Sequence, residues 1–443
     1  MFVAAPPDPQ QIFRDLDGER LARAMQAAAS HPRNDYVHWD KLRHLATPDD
    51  LTHAEWWFAI KLKREAVPFE LRDPAGHSFT YGTPPQVQRL LHYVDRHCSG
   101  EIAMPEVVTS DEHARHHYLV NSVMEEAIRS SQLEGATTSR RVAKDLLRSG
   151  RPPRDRSELM IVNNYRALEL MRERMGDELS PELVMTLQRI LTEGTLDDPT
   201  AAGRLQSPDE ERVVVLDTST GETIHVPPPA SELPARLEAM CAFANRADND
   251  AGAFLHPVIR GILLHFWLAY DHPFLDGNGR TARALFYWYM KSRGYWLVEL
   301  LSISRILRQA PGKYNRAFLL TETDEGDTTY FLLHQLEVIQ RAVKELQSYL
   351  ARKVREIRDV ERSIRDAGDL NHRQLALLSD AIRHPARSYT YDSHAASHGV
   401  TGETARTDLG DLAARGLLVR RKAGRRHVFS AVADLPQVLH PPV

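Results

Sequence analysis

Two cysteines in 443 residues, Cys98 and Cys241, are too few for a disulfide-stapled scaffold, and neither stands at a spacing that holds a metal. No stretch approaches the ~20 apolar residues that a membrane-spanning helix needs. The opening, Met1 to Pro9, has neither the basic segment nor the apolar run of a secretory leader. A reducing, cytoplasmic setting without membrane insertion is expected. Positive charge is not in excess either: 56 Lys and Arg stand against 60 Asp and Glu, a net charge of −4, so any contact with nucleic acid must be local. Internal repeats and low-complexity tracts are also missing. The rest is 42% hydrophobic and 26% charged, ordinary for a globular chain whose length suits about three domains.

Against that plain background one stretch stands out. His272 to Arg283 reads His-Pro-Phe-Leu-Asp-Gly-Asn-Gly-Arg-Thr-Ala-Arg. Before it, Val258, Ile262, Leu263, Phe266, Trp267 and Tyr270 are spaced as on a buried helix that Pro273 ends, and a second helix is expected from Gly279 or Arg280. The turn formers Asp276-Gly277-Asn278-Gly279 would deliver backbone amides to that helix N-terminus, where unpaired N–H groups and the helix dipole favour an anion such as a polyphosphate. His272 is a candidate base near neutral pH. Asp276 offers hard oxygen ligation to Mg²⁺, and Arg280 and Arg283, three apart on one helix face, can hold successive phosphates.

The run matches the signature of Fic proteins, HPFx(D/E)GNGRxxR, and the chain resembles that family. The resemblance implies a helical bundle that moves AMP from ATP onto a protein hydroxyl with release of pyrophosphate. It gives His272 the role of base and Asp276 that of Mg²⁺ ligand, with Phe274 as a buried anchor. Gly277, Asn278 and Gly279 would form the anion hole, with Asn278 counted among the catalytic residues. Arg280 would hold the β-phosphate and Arg283 the γ-phosphate. Upstream, Asn121 to Leu133 is expected to be helical and is followed by Glu134-Gly135. Ser130, Glu134 and Gly135 fit the (S/T)xxxE(G/N) pattern by which Fic proteins restrain themselves, Glu134 pairing with Arg283 in place of the γ-phosphate.

Between these motifs, Arg212 to Leu216 and Thr223 to Val226 read as strands around a turn at Asp217 to Gly221. In Fic proteins a hairpin flap here aligns the target segment by strand addition, which assigns Val213, Val214, Val215, Ile224, His225 and Val226 to target docking. Residues 205 to 212 follow no usable pattern.

The first hundred or so residues read as a packed helical lead-in. Within His113, His116 and His117 the helical spacing could hold a metal, although a solvated helix face is the plainer reading. Helices are expected to continue from Ala317 to Ala367. Beyond Leu370, helix, short strand, helix, turn, helix and basic hairpin resemble a winged helix-turn-helix. Arg406 and Thr407 lie early in its third helix, and Arg420, Arg421, Lys422, Arg425 and Arg426 on the hairpin, as candidate DNA contacts. Such modules also serve for protein docking.

The sequence thus predicts a mainly α protein: a helical N-terminal domain (1–110), a Fic domain (111–299) with inhibitory helix (121–135) and flap (212–226), a helical extension (300–365) and a winged helix-turn-helix (366–443). The expected activity is Mg²⁺-dependent protein adenylylation from ATP onto a Ser, Thr or Tyr hydroxyl, self-modification included, with a homodimer left open. Two alternatives are a DNA-binding regulator whose Fic site senses nucleotide, and removal of AMP by water that Glu134 aligns.

Overall fold

The computed structural model describes residues 3–30, 36–48, 50–99, 112–216, 221, 223–247, 254–366, 370–383, 387–423, 426–432, 435 and 438. The chain is mostly helical, with three small antiparallel sheets. It divides into two compact units: one takes in Met1–Ile102 and Leu119–Val343, and the other holds the C-terminal stretch from Lys344.

The first unit opens with α1 (Pro9–Asp15), α2 (Gly18–Ser30), α3 (Trp39–Leu42) and α4 (His53–Leu62). Thr52 and Glu55 form a reciprocal cap at the start of α4. The expected all-helical lead-in is interrupted by a hairpin, β1 (Val67–Arg72) and β2 (Ser78–Tyr81), before α5 (Pro85–Val94). Its signal is a period of two: Phe69 and Leu71, then Phe79 and Tyr81, are buried on one side. Gly76 closes the turn at φ 88°.

Next come α6 (Glu112–Leu133), α7 (Arg140–Ser149), α8 (Arg156–Glu173), α9 (Pro181–Thr192), the short pair β3 (Val215–Leu216) and β4 (Thr223–His225), and α10 (Leu233–Asn245). The centre is the packed pair α11 (Pro257–Asp271) and α12 (Asn278–Ser292). Residues 258–268 of α11 are buried on all sides, as befits a helix through the middle of a bundle.

The helices expected from Ala317 onward are α14 (Pro311–Thr323) and α15 (Thr329–Asp366), preceded by α13 (Ile303–Gln309), with a break between α14 and α15. The break falls where Glu325 and Gly326 take left-handed conformations, φ 54° and 75°. Elements far away in sequence hold it. Asp324 accepts from Lys61 Nζ (2.7 Å), Arg64 Nη1 (3.1 Å) and the Tyr330 hydroxyl (2.7 Å), and Tyr36 donates to Asp327 (2.6 Å). Thr80 N donates to Gly326 O at 3.0 Å and Thr80 O accepts from Thr328 N at 2.8 Å. The Arg64 guanidinium lies 4.0 Å over the Tyr36 ring.

In the second unit, α16 (His372–Arg383), β5 (Ser388–Tyr389), α17 (Tyr391–His398), α18 (Gly402–Ala414), β6 (Leu418–Ala423) and β7 (Arg426–Ala431) enclose a core of Leu377, Leu378, Leu409, Leu412, Leu418 and Phe429. The sheet order is β5-β7-β6. Thr390 and Thr401 cap α17 and α18, and Gly399 ends α17 at φ 61°.

Arg64→Met leaves Asp324 and Asp327 short of a buried counter-charge. A loss of about 3–5 kcal/mol is expected, the usual cost of removing one partner from a buried ion cluster. Urea unfolding followed through tryptophan fluorescence checks it, Trp57 lying 5.0 Å from Arg64.

Candidate active site

α11 ends on His272, which takes φ 46°, ψ 51°, a left-handed conformation unusual for a side chain larger than glycine. Its amide still donates to Leu268 O (3.0 Å), and Arg212 grips the carbonyls beyond: Nη2 donates to Asp271 O (2.5 Å) and Nη1 to His272 O (2.9 Å). Arg212 is itself fixed by Nε to Pro228 O (2.8 Å). Beneath, the Asp271 carboxylate accepts from Trp267 Nε1 (2.9 Å) and Arg236 Nε (2.8 Å). Burial pushes the His272 imidazole down to about 4, so the ring is neutral near pH 7 and able to accept a proton.

The reversal that follows is closed by its own side chains. Phe274 is fully buried, and Asn278 braces it: Oδ1 accepts from Phe274 N (2.9 Å) and Nδ2 donates to Phe274 O (2.7 Å). The Asn278 side chain is therefore occupied in closing the loop, and its offering to an anion is its backbone amide. α12 starts at Asn278, one residue earlier than the sequence suggests, after Gly277 at φ 86° and with no side chain capping its N-terminus. A Cβ at Gly277 would stand 2.9 Å from Thr192 Cγ2. The first turn of α12 thus presents free N–H groups at the positive end of its dipole.

Asp276 and Arg280 face each other, Nη2 lying 3.2 Å from both carboxylate oxygens, while Arg280 Nη1 donates to Leu191 O (2.9 Å). Asp276 is 40% exposed and can turn a carboxylate oxygen to a cation. One carboxylate beside a phosphate cradle suits Mg²⁺, which binds through one or two carboxylates together with substrate phosphates. Arg280 Nε and Arg283 Nη1 are buried donors without a hydrogen-bond partner, as an anion site requires.

Arg283, 2% exposed, meets the end of α6. Its Nε and Nη2 donate to Ser130 Oγ (3.0 and 2.9 Å), Nη2 also to Ser130 O (3.2 Å), and Nη2 lies 2.8 Å from Glu134 Oε1. Burial opposes the Arg283 charge, and the Glu134 carboxylate together with Tyr314 and Glu126 more than offsets it, so the guanidinium stays protonated. Gly135, at φ 96°, lets the chain turn away directly after Glu134. A Cβ on Gly279 would stand 2.3 Å from Glu134 Oε1, so the carboxylate lies against the first turn of α12. The structure brings Ser130, Glu134, Gly279 and Arg283 together.

The flap is shorter than expected. Val215 pairs with His225 and Leu216 with Thr223, and most of the turn, 217–220, lies outside the described residues. Val214 and Val226 are exposed. His225 is not: it is buried, held between Glu322 and the Tyr270 carbonyl, and it anchors the flap instead of facing a target. Arg212, expected in the strand, is the clamp on α11 described above.

Residues 178–290 match the Fic/DOC family. The chain carries a Fic domain. Over 87 residues it is 39% identical to a protein adenylyltransferase Fic of Nematostella vectensis, a match covering 20% of this chain and 17% of that protein. Over 108 residues it is 37% identical to a protein of the same name from Drosophila willistoni, covering 24% and 20%. The matched part of the chain spans about a fifth of the length of these relatives. A Fic family protein from Desulfovibrio desulfuricans superposes with a TM-score of 0.49 at 15% identity, covering 83% of this chain and 98% of that one.

Three residues that serve the Fic domain were not apparent from sequence. Gln188 Nε2 donates to Asp276 O (2.9 Å) and its Oε1 accepts from Gly203 N (2.5 Å), tying the phosphate loop to the approach of the flap. Gln206, whose amide donates to Pro273 O (3.0 Å), and Arg212 complete the frame. Only Gln188 carried a signal, being a polar residue in the buried stripe of Val184, Leu187 and Leu191.

Away from the Fic domain, Arg406, Thr407, Arg420, Arg421, Lys422 and Arg426 are exposed in the second unit, and Arg425 lies outside the described residues. So do the side chains of His113, His116 and His117. Among the described residues no helix is long and apolar enough to cross a membrane.

Asn278→Ala removes both bonds to Phe274 and leaves a buried amide and carbonyl unsatisfied. A loss of about 2–4 kcal/mol is expected, with weaker ATP binding as the amides of the loop lose their alignment. Thermal melts and calorimetric titration with ATP measure the two effects.

Proposed function

We propose that the Fic domain transfers AMP from ATP to a Ser, Thr or Tyr hydroxyl of a protein and that Glu134 holds it in check. The observation that carries this reading is the uncapped N-terminus of α12 flanked by Arg280 and Arg283, with the neutral His272 at the other end of the same loop. The amides of the first turn receive the phosphates, Arg280 holds the β-phosphate and Arg283 the γ-phosphate. Asp276 would hold Mg²⁺, which when bound offsets the charge of the phosphates. His272 removes the proton from the target hydroxyl, whose oxygen bonds to the α-phosphorus as the bond to the β-phosphate oxygen breaks, and pyrophosphate leaves. Catalysis rests on alignment and on charge placed in advance. In the restrained state Glu134 occupies the Arg283 clamp, so the γ-phosphate has no seat and the α-phosphate falls out of line.

Glu134→Gly is expected to raise transfer, self-modification included, and adding Arg283→Ala to cancel the gain. In the Glu134→Gly background, His272→Ala should lower transfer about 10²- to 10⁴-fold while ATP still binds. Because burial depresses the His272 pKa, its basic form persists as the pH falls. The acidic limb of kcat/KM should therefore lie well below the ordinary imidazole value of about 6.5. Assays with labelled ATP across pH check all three. Loss of AMP removal in Glu134→Gly without any gain in transfer would instead establish the reverse reaction.

For the second unit we infer a winged helix-turn-helix that contacts DNA phosphates. The supporting observation is a basic face: Arg406 lies 5.6 Å over Tyr391, Tyr391 lies 6.1 Å from His427, and Arg420 bonds His427 at 2.8 Å. Affinity of the full chain for random duplex should fall steeply with salt, and Arg420→Ala with Lys422→Ala should weaken all sequences alike and flatten the slope. Fluorescence anisotropy decides; no binding at low salt would leave protein docking.

A further inference from the structure

One buried side chain fastens the flap to the helix that carries His272. His225 is 7% exposed as a side chain; its Nε2 lies 2.7 Å from Tyr270 O and its Nδ1 2.8 Å from Glu322 Oε2. A carbonyl brings no hydrogen, and neither does an ionised carboxylate. The two contacts therefore need two hydrogens between them: an imidazolium facing a carboxylate, or a neutral ring facing a carboxylic acid. Either way the contact stores one proton more than a neutral imidazole beside a carboxylate. Tyr270 also packs its ring against His225, centroids 4.8 Å apart.

The post of this latch is firm. Glu322 lies in the last turn of α14, two residues before Asp324, which Lys61 and Arg64 hold from the N-terminal elements. The other ionisable groups gathered at this end of α11 are His272, and Asp271 with its partner Arg236; Arg212 reaches in from the flap side. Among the described residues no hydrogen bond joins any of these to the His225 ring, and Glu322 is its carboxylate partner. On the flap itself the neighbours of His225 are the half-exposed Ile224 and the exposed Val226.

We propose that His225 is a positioning residue for protein acceptors: the extra proton held with Glu322 latches the flap to the end of α11, so that an acceptor strand laid along the flap arrives in register with His272. The proposal deepens the adenylyltransferase reading and rests on it. It bears on acceptor recognition and not on ATP use.

The test uses the full chain with Glu134→Gly as enzyme and a full-length His272→Ala copy as acceptor, with labelled AMP transfer followed against acceptor and ATP concentration. His225→Ala should raise the acceptor KM roughly ten- to a hundredfold, the weight of a charge-assisted hydrogen bond, with the ATP KM unchanged. Glu322→Gln is the repairing variant: its amide donates to Nδ1 while a neutral ring still donates to Tyr270. Its acceptor KM should stay near that of the parent. A parental acceptor KM in His225→Ala, an equal rise of the ATP KM, or a rise of the acceptor KM in Glu322→Gln as large as that in His225→Ala would overturn the latch.

If Glu134→Gly transfers nothing to this acceptor, the adenylyltransferase reading fails by itself, and hydrogen exchange over residues 223–226 judges the latch separately. Exchange should quicken in His225→Ala relative to the parent and to Glu322→Gln at the same pH. Identical exchange in all three would refute it.

Discussion

A buried guanidinium has to be met by acceptors, and most of this site follows from that demand on Arg283. The side chain is almost wholly enclosed, which would make it a strong clamp for the proposed phosphate, since water does not compete there. Enclosure also means that its charge cannot be left alone. Ser130 supplies two oxygens and Glu134 supplies the countercharge. On the proposed reading, the restraint would be a consequence of burying the arginine, since the contact that meets its charge would also keep the nucleotide out. Asp276 and Arg280 repeat the logic on a smaller scale, each meeting the other's charge until something better arrives.

The loop between the two central helices carries a different constraint. Six residues must reverse the chain, expose one helix N-terminus and leave an imidazole facing the same space. That forces His272 into a left-handed conformation and leaves no side chain to cap α12. Such strain persists only when neighbours fix it. Arg212 does so from the flap, Asn278 from within the loop and Gln188 from α9. The flap and the base are consequently parts of one assembly: Arg212 holds the carbonyls of Asp271 and His272, and His225 holds that of Tyr270.

How much of this was legible depended on whether a residue acts through local pattern or through long-range contact. The phosphate loop and the Ser130-Glu134-Gly135 segment are short, contiguous and rich in residues with few other uses, so the pairing of Glu134 with Arg283 could be expected from residues 149 positions apart. The hairpin of β1 and β2 was missed because its alternation covers only four to six residues, too few to outweigh the helical patterns around it. The position of the break between α14 and α15 was not legible for another reason. Its buried aspartates find their partners in Tyr36, Lys61 and Arg64, which no window along the chain would join. Arg212 was read as a strand residue from its β-branched neighbours and His225 as a docking residue of the flap, although both are spent on the carbonyls at the end of α11.

Gly279 shows why restraint and catalysis are hard to separate in this chain. The same missing Cβ that would let a phosphate approach the amides of α12 lets Glu134 come against that helix, where any side chain would stand 2.3 Å from its carboxylate. A larger residue at 279 would push Glu134 away and so release Arg283, yet it would also fill the ground that the phosphates need. On the proposed reading, substitution of Glu134 would lift the restraint and leave the cradle whole, because its carboxylate, about one third exposed, braces neither the loop nor α12.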